Sequence, residues 1–289
     1  MLRQEEAIGD YTSNPSVNVR ITGQARQQMV LLIEELHALK QYKVETLYLA
    51  VSLADRYLVY IAVGEAQAPP SLVTLAVTCI LMAAKLEEPI APSFARMINL
   101  LAEQQQTVLD KTELIDLEEA IVKMLDFSLR HVSSIHFLER FTRLFGIDQE
   151  RNDKRARQVA NLARDYCKCM QREALFLDFR PSQNAAASLL LAINVSQSGV
   201  APAVGIKRIP PLEMKSLLNE ALSVHDELAA GFTAESNAAG PITKWNSAIE
   251  KLTFLKRDSN VGPAYSALIE YLNESLYKEK LFDDPTLFI

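Results

Sequence analysis

Glycine, cysteine and histidine are all scarce in this chain, and each shortage excludes a class of protein. Nine glycines occur in 289 residues, and Val, Ile or Thr rarely alternate with polar residues, which argues against a β-sheet fold. The three cysteines lack the neighbouring ligands of a zinc site and are typical of thiols in a reducing compartment. With four histidines, no glycine-rich phosphate loop and no nucleophile elbow, the sequence offers no catalytic constellation. We therefore expect no enzymatic activity, no metal and no cofactor.

The charge distribution also excludes two kinds of partner. The net charge is −6 and no long basic block occurs, which argues against nucleic-acid binding. The longest uncharged stretch, residues 69–84, is too short to span a bilayer. The first ten residues, MLRQEEAIGD, lack the apolar core of a signal peptide. We expect an intracellular protein that binds other proteins and neither nucleic acid nor membrane.

Apolar residues are abundant, at 49% of the chain, and they recur every three or four positions as in amphipathic helices. One segment, SLVTLAVTCILMAAK (71–85), is apolar on every side, which predicts a helix surrounded by other helices. The periodicity predicts helices from Thr22 to about Leu36, at 47–61, from Pro69 to Lys85, at 92–103, at 110–125, at 212–230, at 242–255 and at 263–281.

Two short patterns of the first half return about 110 residues later. Leu53–Tyr57 resembles Leu162–Tyr166, and Pro70-Ser71 before an apolar helix resembles Pro181-Ser182 before another. The common offset predicts a duplicated helical domain; the alternative is chance similarity between amphipathic helices. The predicted organisation is an N-terminal arm, a first domain, a second domain carrying a variable loop or extra helix at 196–240, and a tail, with bounds at 1–19, 20–131, 132–281 and 282–289.

Four segments then resemble the cyclin box, in the family's order and spacing: ITGQARQQMVLLIEEL (21–36), ETLYLAVSLADRYL (45–58), AVTCILMAAKLEE (76–88) and LEEAIVKMLDFSL (117–129). FLDFRPSQNAAASLLLA (176–192) and WNSAIEKLTFL (245–255) are similar to segments of the C-terminal cyclin fold. The resemblance, which does not assign a cyclin class, implies an all-α protein of two five-helix bundles in tandem, with an insertion in the second.

The resemblance also implies a function and a binding surface. It implies an activating regulatory subunit that binds the active-site helix and activation-loop region of a cyclin-dependent protein kinase, in the nucleus, the cytoplasm or both. Lys85 and Glu118, on the third and fifth helices, match the pair that bonds the kinase backbone. The expected surrounding residues are Met82, Leu86, Glu88, Val122, Phe127 and Leu129. On spacing alone, the charged pair would be ordinary surface residues and the apolar ones core residues.

Two further sets of residues match family positions. Arg26 and Asp55 match a buried ion pair between the first two helices, which is a structural role. Ala25, Met29 and Leu32 stand where many cell-cycle cyclins have a substrate-docking patch with a Trp. Because that Trp is absent, we expect at most a shallow groove for kinase substrates or inhibitors, without docking of Arg-x-Leu motifs. The alternative function is a cyclin-fold scaffold, or a transcription or structural adaptor, that binds no kinase.

Overall fold

A computed structural model of the chain describes residues 7–12, 21–63, 70–105, 109–144, 147, 154–197 and 261–282. Within these ranges the protein is helical and contains no strand, so the all-α prediction is confirmed. The helices are α1 (Gly23–Lys40), α2 (Val44–Val63), α3 (Leu72–Glu87), α4 (Phe94–Gln105), α5 (Lys111–Met124), α6 (Ser134–Leu144), α7 (Lys154–Arg172), α8 (Pro181–Gln197) and α9 (Gly262–Phe282). A short 3-10 helix, Ala174–Asp178, lies between α7 and α8.

Local capping explains where several of these helices begin and end. The Thr22 hydroxyl accepts a hydrogen bond from the Ala25 amide at 3.2 Å, and an Asp110 carboxylate oxygen accepts from the Thr112 amide at 3.1 Å. Such caps satisfy amides that have no partner inside the helix. At the other end of α1, Gln41 adopts a left-handed backbone with φ of 53° and closes the last turn. The bounds of α1 to α5 agree with the helices predicted for the first half to within a few residues.

The described residues fall into two compact units. One unit comprises Met1–His136 together with Cys169–Ser182, and the other comprises Phe137–Lys168 together with Gln183–Ile289. The repeated patterns lie on corresponding helices, α2 and α7 for one and the starts of α3 and α8 for the other. The predicted helices at 212–230 and 242–255 lie outside the described residues, as does most of the 196–240 segment. The domain boundary at 131–132 stays a prediction.

Helix α3 is the centre of the first unit. Every residue from Thr74 to Ala84 is buried, and the helix packs against α1, α2 and α5, while α4 packs on α5. This is the arrangement predicted from its uniformly apolar sequence. Cys79 lies in this core, where burial raises the pKa of its thiol and keeps it neutral.

The second unit has its own apolar helix faces. On α8, residues 184–193 are all buried, which matches the buried run on α3. Phe137 and Phe141 lie one turn apart on α6 with ring centroids 6.1 Å apart. On α9, buried residues recur at three- and four-residue steps, as expected of an amphipathic helix.

Among the helices of the described residues, none has an apolar stretch of the length needed to span a bilayer.

A buried charge pair ties the elements of the first unit together. Arg26 on α1 donates to both carboxylate oxygens of Asp55 on α2, at 2.8 Å each, and both residues are 1% exposed. The guanidinium also donates to the backbone carbonyls of Arg172, at 2.9 Å, and Gln171, at 3.0 Å. Burial by itself would lower the pKa of Arg26, but the charge and hydrogen bonds of Asp55, together with Tyr11, raise that pKa by more, so Arg26 remains charged.

The N-terminal arm supplies a third member of this network. The Tyr11 side chain is 6% exposed and its hydroxyl donates to Asp55 Oδ1 at 2.7 Å. The Gly9 amide donates to the Leu177 carbonyl at 3.0 Å, which fixes the arm beside the 3-10 helix. Burial and the Asp55 charge raise the pKa of Tyr11 well above its ordinary value of about 10.

Replacing Asp55 with Ala should destabilise the fold strongly, because Arg26 would remain buried without its anion. We expect the free energy of unfolding to fall by about 3–5 kcal/mol, measured by urea denaturation. The matched control is Glu119→Ala, which removes an exposed ion pair with Lys123 and should leave the denaturation midpoint nearly unchanged. Equal stability of the Asp55→Ala variant and the wild-type chain would contradict the structural role of this pair.

Tyr11→Phe should have a smaller effect that depends on pH. At neutral pH the loss of the hydroxyl should destabilise the chain by about 1–2 kcal/mol, since Asp55 keeps both bonds from Arg26. The folded state raises the pKa of Tyr11, so its contribution is complete below the unfolded pKa of about 10 and falls as pH rises above it. The stability difference between the two proteins should therefore shrink above pH of about 10; a difference that stays constant there would contradict this account.

Candidate protein-binding site

A second charge pair joins α3 to α5 at the surface. Lys85 Nζ lies 2.6 Å from Glu118 Oε1 and 2.7 Å from Oε2. Their side chains are 32% and 24% exposed, so both remain accessible to solvent. The structure thus brings together the two residues that the family motifs single out, which are 33 positions apart in the chain.

The Lys85 ammonium is held on another side by an aromatic ring. Its Nζ lies 4.5 Å from the centroid of the Phe94 ring, at the first residue of α4. A cation at this distance over a ring face is attracted by the electrons of the ring. The sequence interpretation missed Phe94, because helical periodicity does not connect residues on two different helices.

The two helices that carry this pair run in the same general direction. Near their N-terminal ends, Thr74 Oγ1 lies 3.3 Å from Glu113 Oε1, and the Lys85–Glu118 pair joins them further along. Among the described residues, the most exposed large apolar ones lie in the segments that follow α3 and α5, Ile90 at 82% and Phe127 at 75%. The sequence interpretation included Phe127 and missed Ile90, although its position between Pro89 and Pro92 excludes a place inside a helix.

Phe127 also has an unusual backbone. Its φ is 59° and that of the preceding Asp126 is 47°, both in the left-handed region. A bulky residue rarely adopts this conformation, and such strain is concentrated at functional sites. The Phe127 amide donates to the Val122 carbonyl at 3.0 Å, so the turn that ends α5 holds the ring out in solvent.

The remaining residues of the expected pocket differ in exposure. Leu86, Val122 and Leu129 are half-buried, as lining residues of a surface depression would be. Met82 is only 3% exposed and is a core residue of α3. Because α3 is apolar all round, its sequence does not tell a core-facing side from a partner-facing side, and a direct contact of Met82 with a partner stays a prediction.

Glu88 has an internal role in the structure. Its carboxylate oxygen accepts a hydrogen bond from the Lys43 amide at 2.7 Å and from the Thr46 hydroxyl at 2.5 Å. Lys43 Nζ in turn donates to the Glu87 carbonyl at 3.0 Å. Glu88 therefore caps the start of α2 and fixes the beginning of the connection from α3 to α4.

The segment after α5 is held against α2 and α3 by two arginines. Arg56 donates to the Ser128 carbonyl at 2.9 Å, and Arg130 donates to the Leu86 carbonyl at 3.2 Å. Burial lowers the pKa of Arg56.

A cavity of about 470 Å³ lies beside this segment, lined by Glu45, Leu49, Glu87, Ser128, Arg130, His131, Val132 and His136. Within the described residues no group of His, Cys, Asp or Glu side chains is arranged to hold a metal ion.

The residues expected to line a docking groove on α1 show little exposure. Met29 is 2% exposed, and Ala25 and Leu32 are half-buried. The groove and its binding properties stay a prediction.

The chain matches two protein-family models, the cyclin N-terminal domain over residues 1–130 and the cyclin C-terminal domain over residues 132–204. The G2/mitotic-specific cyclin-B2 of Oryzias latipes is 29% identical over 172 residues, which are 60% of this chain and 40% of that protein. Cyclin-D1-2 of Oryza sativa subsp. japonica is 30% identical over 164 residues, which are 56% of this chain and 43% of that protein. The chain thus spans about two fifths of the length of these curated relatives.

A solved structure gives the same result for the fold. The crystal structure of a viral cyclin from herpesvirus saimiri has a TM-score of 0.52 and 17% sequence identity, and the match covers 74% of this chain and 89% of that one. At this identity the likeness concerns the fold alone. The two family models show that the chain belongs to the cyclin family, and with the structural match they confirm the prediction of a tandem cyclin fold.

Because Met82 is buried and Phe127 is exposed, replacing each with Ala should change the free energy of unfolding by very different amounts. Met82→Ala should lower the free energy of unfolding by about 2–5 kcal/mol, because it leaves a cavity in α3's packing. Phe127→Ala should change it by no more than about 0.5 kcal/mol, because the ring lies in solvent. Urea denaturation of the two variants checks both values, and the reverse order of stabilities would contradict the assignment.

Proposed function

We propose that the chain is the regulatory subunit of a cyclin-dependent protein kinase and binds it through the surface formed by α3 and α5. The observation that carries this proposal is the Lys85–Glu118 pair, partly exposed and flanked in the chain by Ile90 and Phe127. The proposed contacts on the partner are the kinase's active-site helix and the region of its activation loop.

The charged pair has the hydrogen-bonding capacity that this role requires. An ammonium group has three donors and a carboxylate has about four acceptor sites. The contacts between Lys85 and Glu118 use only part of this capacity. The remaining donors and acceptors can bond a carbonyl and an amide of a docked backbone while the pair itself stays formed. Such charge-assisted bonds are stronger than those between neutral groups.

The apolar residues around the pair would supply most of the binding energy. Protein interfaces depend on a few large side chains at the centre, surrounded by polar contacts that exclude water. Phe127 and Ile90 have the exposure of such anchors, and Leu86, Val122 and Leu129 would line the depression between them. Met82 and Glu88 would act indirectly, Met82 by packing under α3 and Glu88 by fixing the connection that follows it.

Activation would follow from preferential binding to one form of the kinase. A surface that binds the active position of the kinase helix more tightly than the inactive one shifts the kinase toward the active form. In that form, the glutamate of the kinase helix pairs with the lysine that orients ATP, and the activation loop moves away. The chain would contribute binding free energy and no chemical step of its own, and kinase substrates or inhibitors would be further partners.

The proposal also covers where the chain acts and what it does not bind. We infer that it acts inside the cell, in the nucleus, the cytoplasm or both, without binding nucleic acid or membrane. The net charge of −6 supports the first exclusion, since contact with a phosphate backbone requires basic side chains. A cyclin-fold scaffold that binds no kinase is the alternative.

The double variant Lys85→Ala, Glu118→Ala should lose kinase activation while remaining folded. The wild-type chain is first used to capture its kinase from native extract, and the purified kinase is then titrated with each chain. Removing either side chain leaves backbone groups of the partner unpaired at a cost of about 1–3 kcal/mol. That corresponds to activation weaker by about fivefold to 150-fold for each residue.

The matched control is Glu119→Ala, Lys123→Ala, which removes the neighbouring exposed ion pair of α5. It should activate the kinase like the wild-type chain, and both double variants should keep the wild-type melting temperature. If the folded Lys85 and Glu118 variant activates the kinase at wild-type concentrations, the proposed site is wrong. If the wild-type chain captures no cyclin-dependent kinase, the scaffold alternative is favoured.

A further inference from the structure

Lys85 is fixed in the free chain by groups from two other helices. Its ammonium lies against the Glu118 carboxylate of α5 and, 4.5 Å away, against the ring of Phe94 on α4. A partly exposed ion pair alone orders a lysine weakly, because both long side chains lose conformational freedom in forming it. The ring face adds a second attraction to the same cation.

The backbone that carries Phe94 follows a restrained connection. The connection from α3 to α4 begins at Glu88, whose carboxylate is bonded to Lys43 and Thr46 at the start of α2. Pro89 and Pro92 follow within this connection, and each restricts the backbone by fixing φ. Phe94 is half-buried as α4 begins. The start of α4, which carries Phe94, is therefore joined to α3 through a short, restrained segment that is bonded to the start of α2.

We propose that Phe94 is a positioning residue for the binding site: its ring holds the Lys85 ammonium beside Glu118 before any partner arrives. A group that is already ordered loses less freedom on binding, which increases affinity without a new contact. This inference rests on the proposed function for its effect on kinase affinity, whereas the ordering of Lys85 is a property of the free chain.

The first measurement uses the free chain alone. In protein labelled with ¹³C at the lysine ε-carbon, the ε-methylene protons of Lys85 should be shifted upfield, because they adjoin the ammonium that lies over the Phe94 ring. Lys85→Arg identifies the signal by its disappearance. The shift should persist in Phe94→Tyr, which keeps a ring, and disappear in Phe94→Leu. An unshifted Lys85 signal in the wild-type chain would overturn the proposal.

The second measurement is the kinase titration described above. Phe94→Leu should weaken activation about two- to fivefold, the size of one exposed cation–π contact, and Phe94→Tyr should restore it. In a Lys85→Met background, Phe94→Leu should have no further effect, because Phe94 acts through Lys85. Tyr60→Leu, which removes an aromatic ring that is 52% exposed on α2, is the control and should activate normally.

The two measurements separate the possible failures. An equal loss from Phe94→Leu with and without Lys85 would mean that Phe94 contacts the partner directly or supports the fold, and the positioning role would be wrong. If the wild-type chain activates no kinase, the proposed function fails, and the Lys85 signal of the free chain still decides whether Phe94 orders Lys85. Because that signal is read in the wild-type chain, the test does not depend on whether Phe94→Leu folds.

Discussion

The arrangement of the first unit depends on satisfying one guanidinium in its core. Arg26 and Asp55 are both 1% exposed, and a charge pair taken out of water is stable only when its remaining donors and acceptors are also bonded. The fold meets this requirement with groups from distant parts of the chain, the Tyr11 hydroxyl and two carbonyls at the end of α7. One charged group thereby sets the relative positions of the arm, α1, α2 and the end of α7.

A second arginine reinforces the same junction. The Arg172 carbonyl accepts a hydrogen bond from Arg26, and the Arg172 guanidinium donates to both carboxylate oxygens of Glu34 on α1, at 2.8 and 2.6 Å. The surface pair Lys85–Glu118 has similar chemistry and a different consequence. It is exposed enough to add little stability, so its groups can serve a partner without weakening the fold. Exposure, more than charge, separates the structural pair from the candidate binding pair.

Much of this could be predicted from the sequence, for identifiable reasons. Apolar residues at helical spacing located α1, α2, α4, α5 and α9, and the uniformly apolar run at 71–85 located α3. Motif spacing brought Lys85 to Glu118, because the family's helix order fixes which turns face each other. The contacts of Tyr11 and Phe94 were missed because they depend on the path of connecting segments, which periodicity does not encode. For Met82 the pattern was ambiguous, because a helix that is apolar on all sides does not reveal which side meets solvent.

The first unit is not continuous in the chain, since Cys169–Ser182 belongs to it although Phe137–Lys168 does not. A fragment that stopped at the end of the matched N-terminal domain, at residue 130, would lack the two carbonyls that bond Arg26 and the arginine that bonds Glu34. It would also lack the Leu177 carbonyl that receives the arm. The segment matched by the N-terminal family model is therefore shorter than the compact unit that contains it, because residues 169–182 also bond the core charges of that unit.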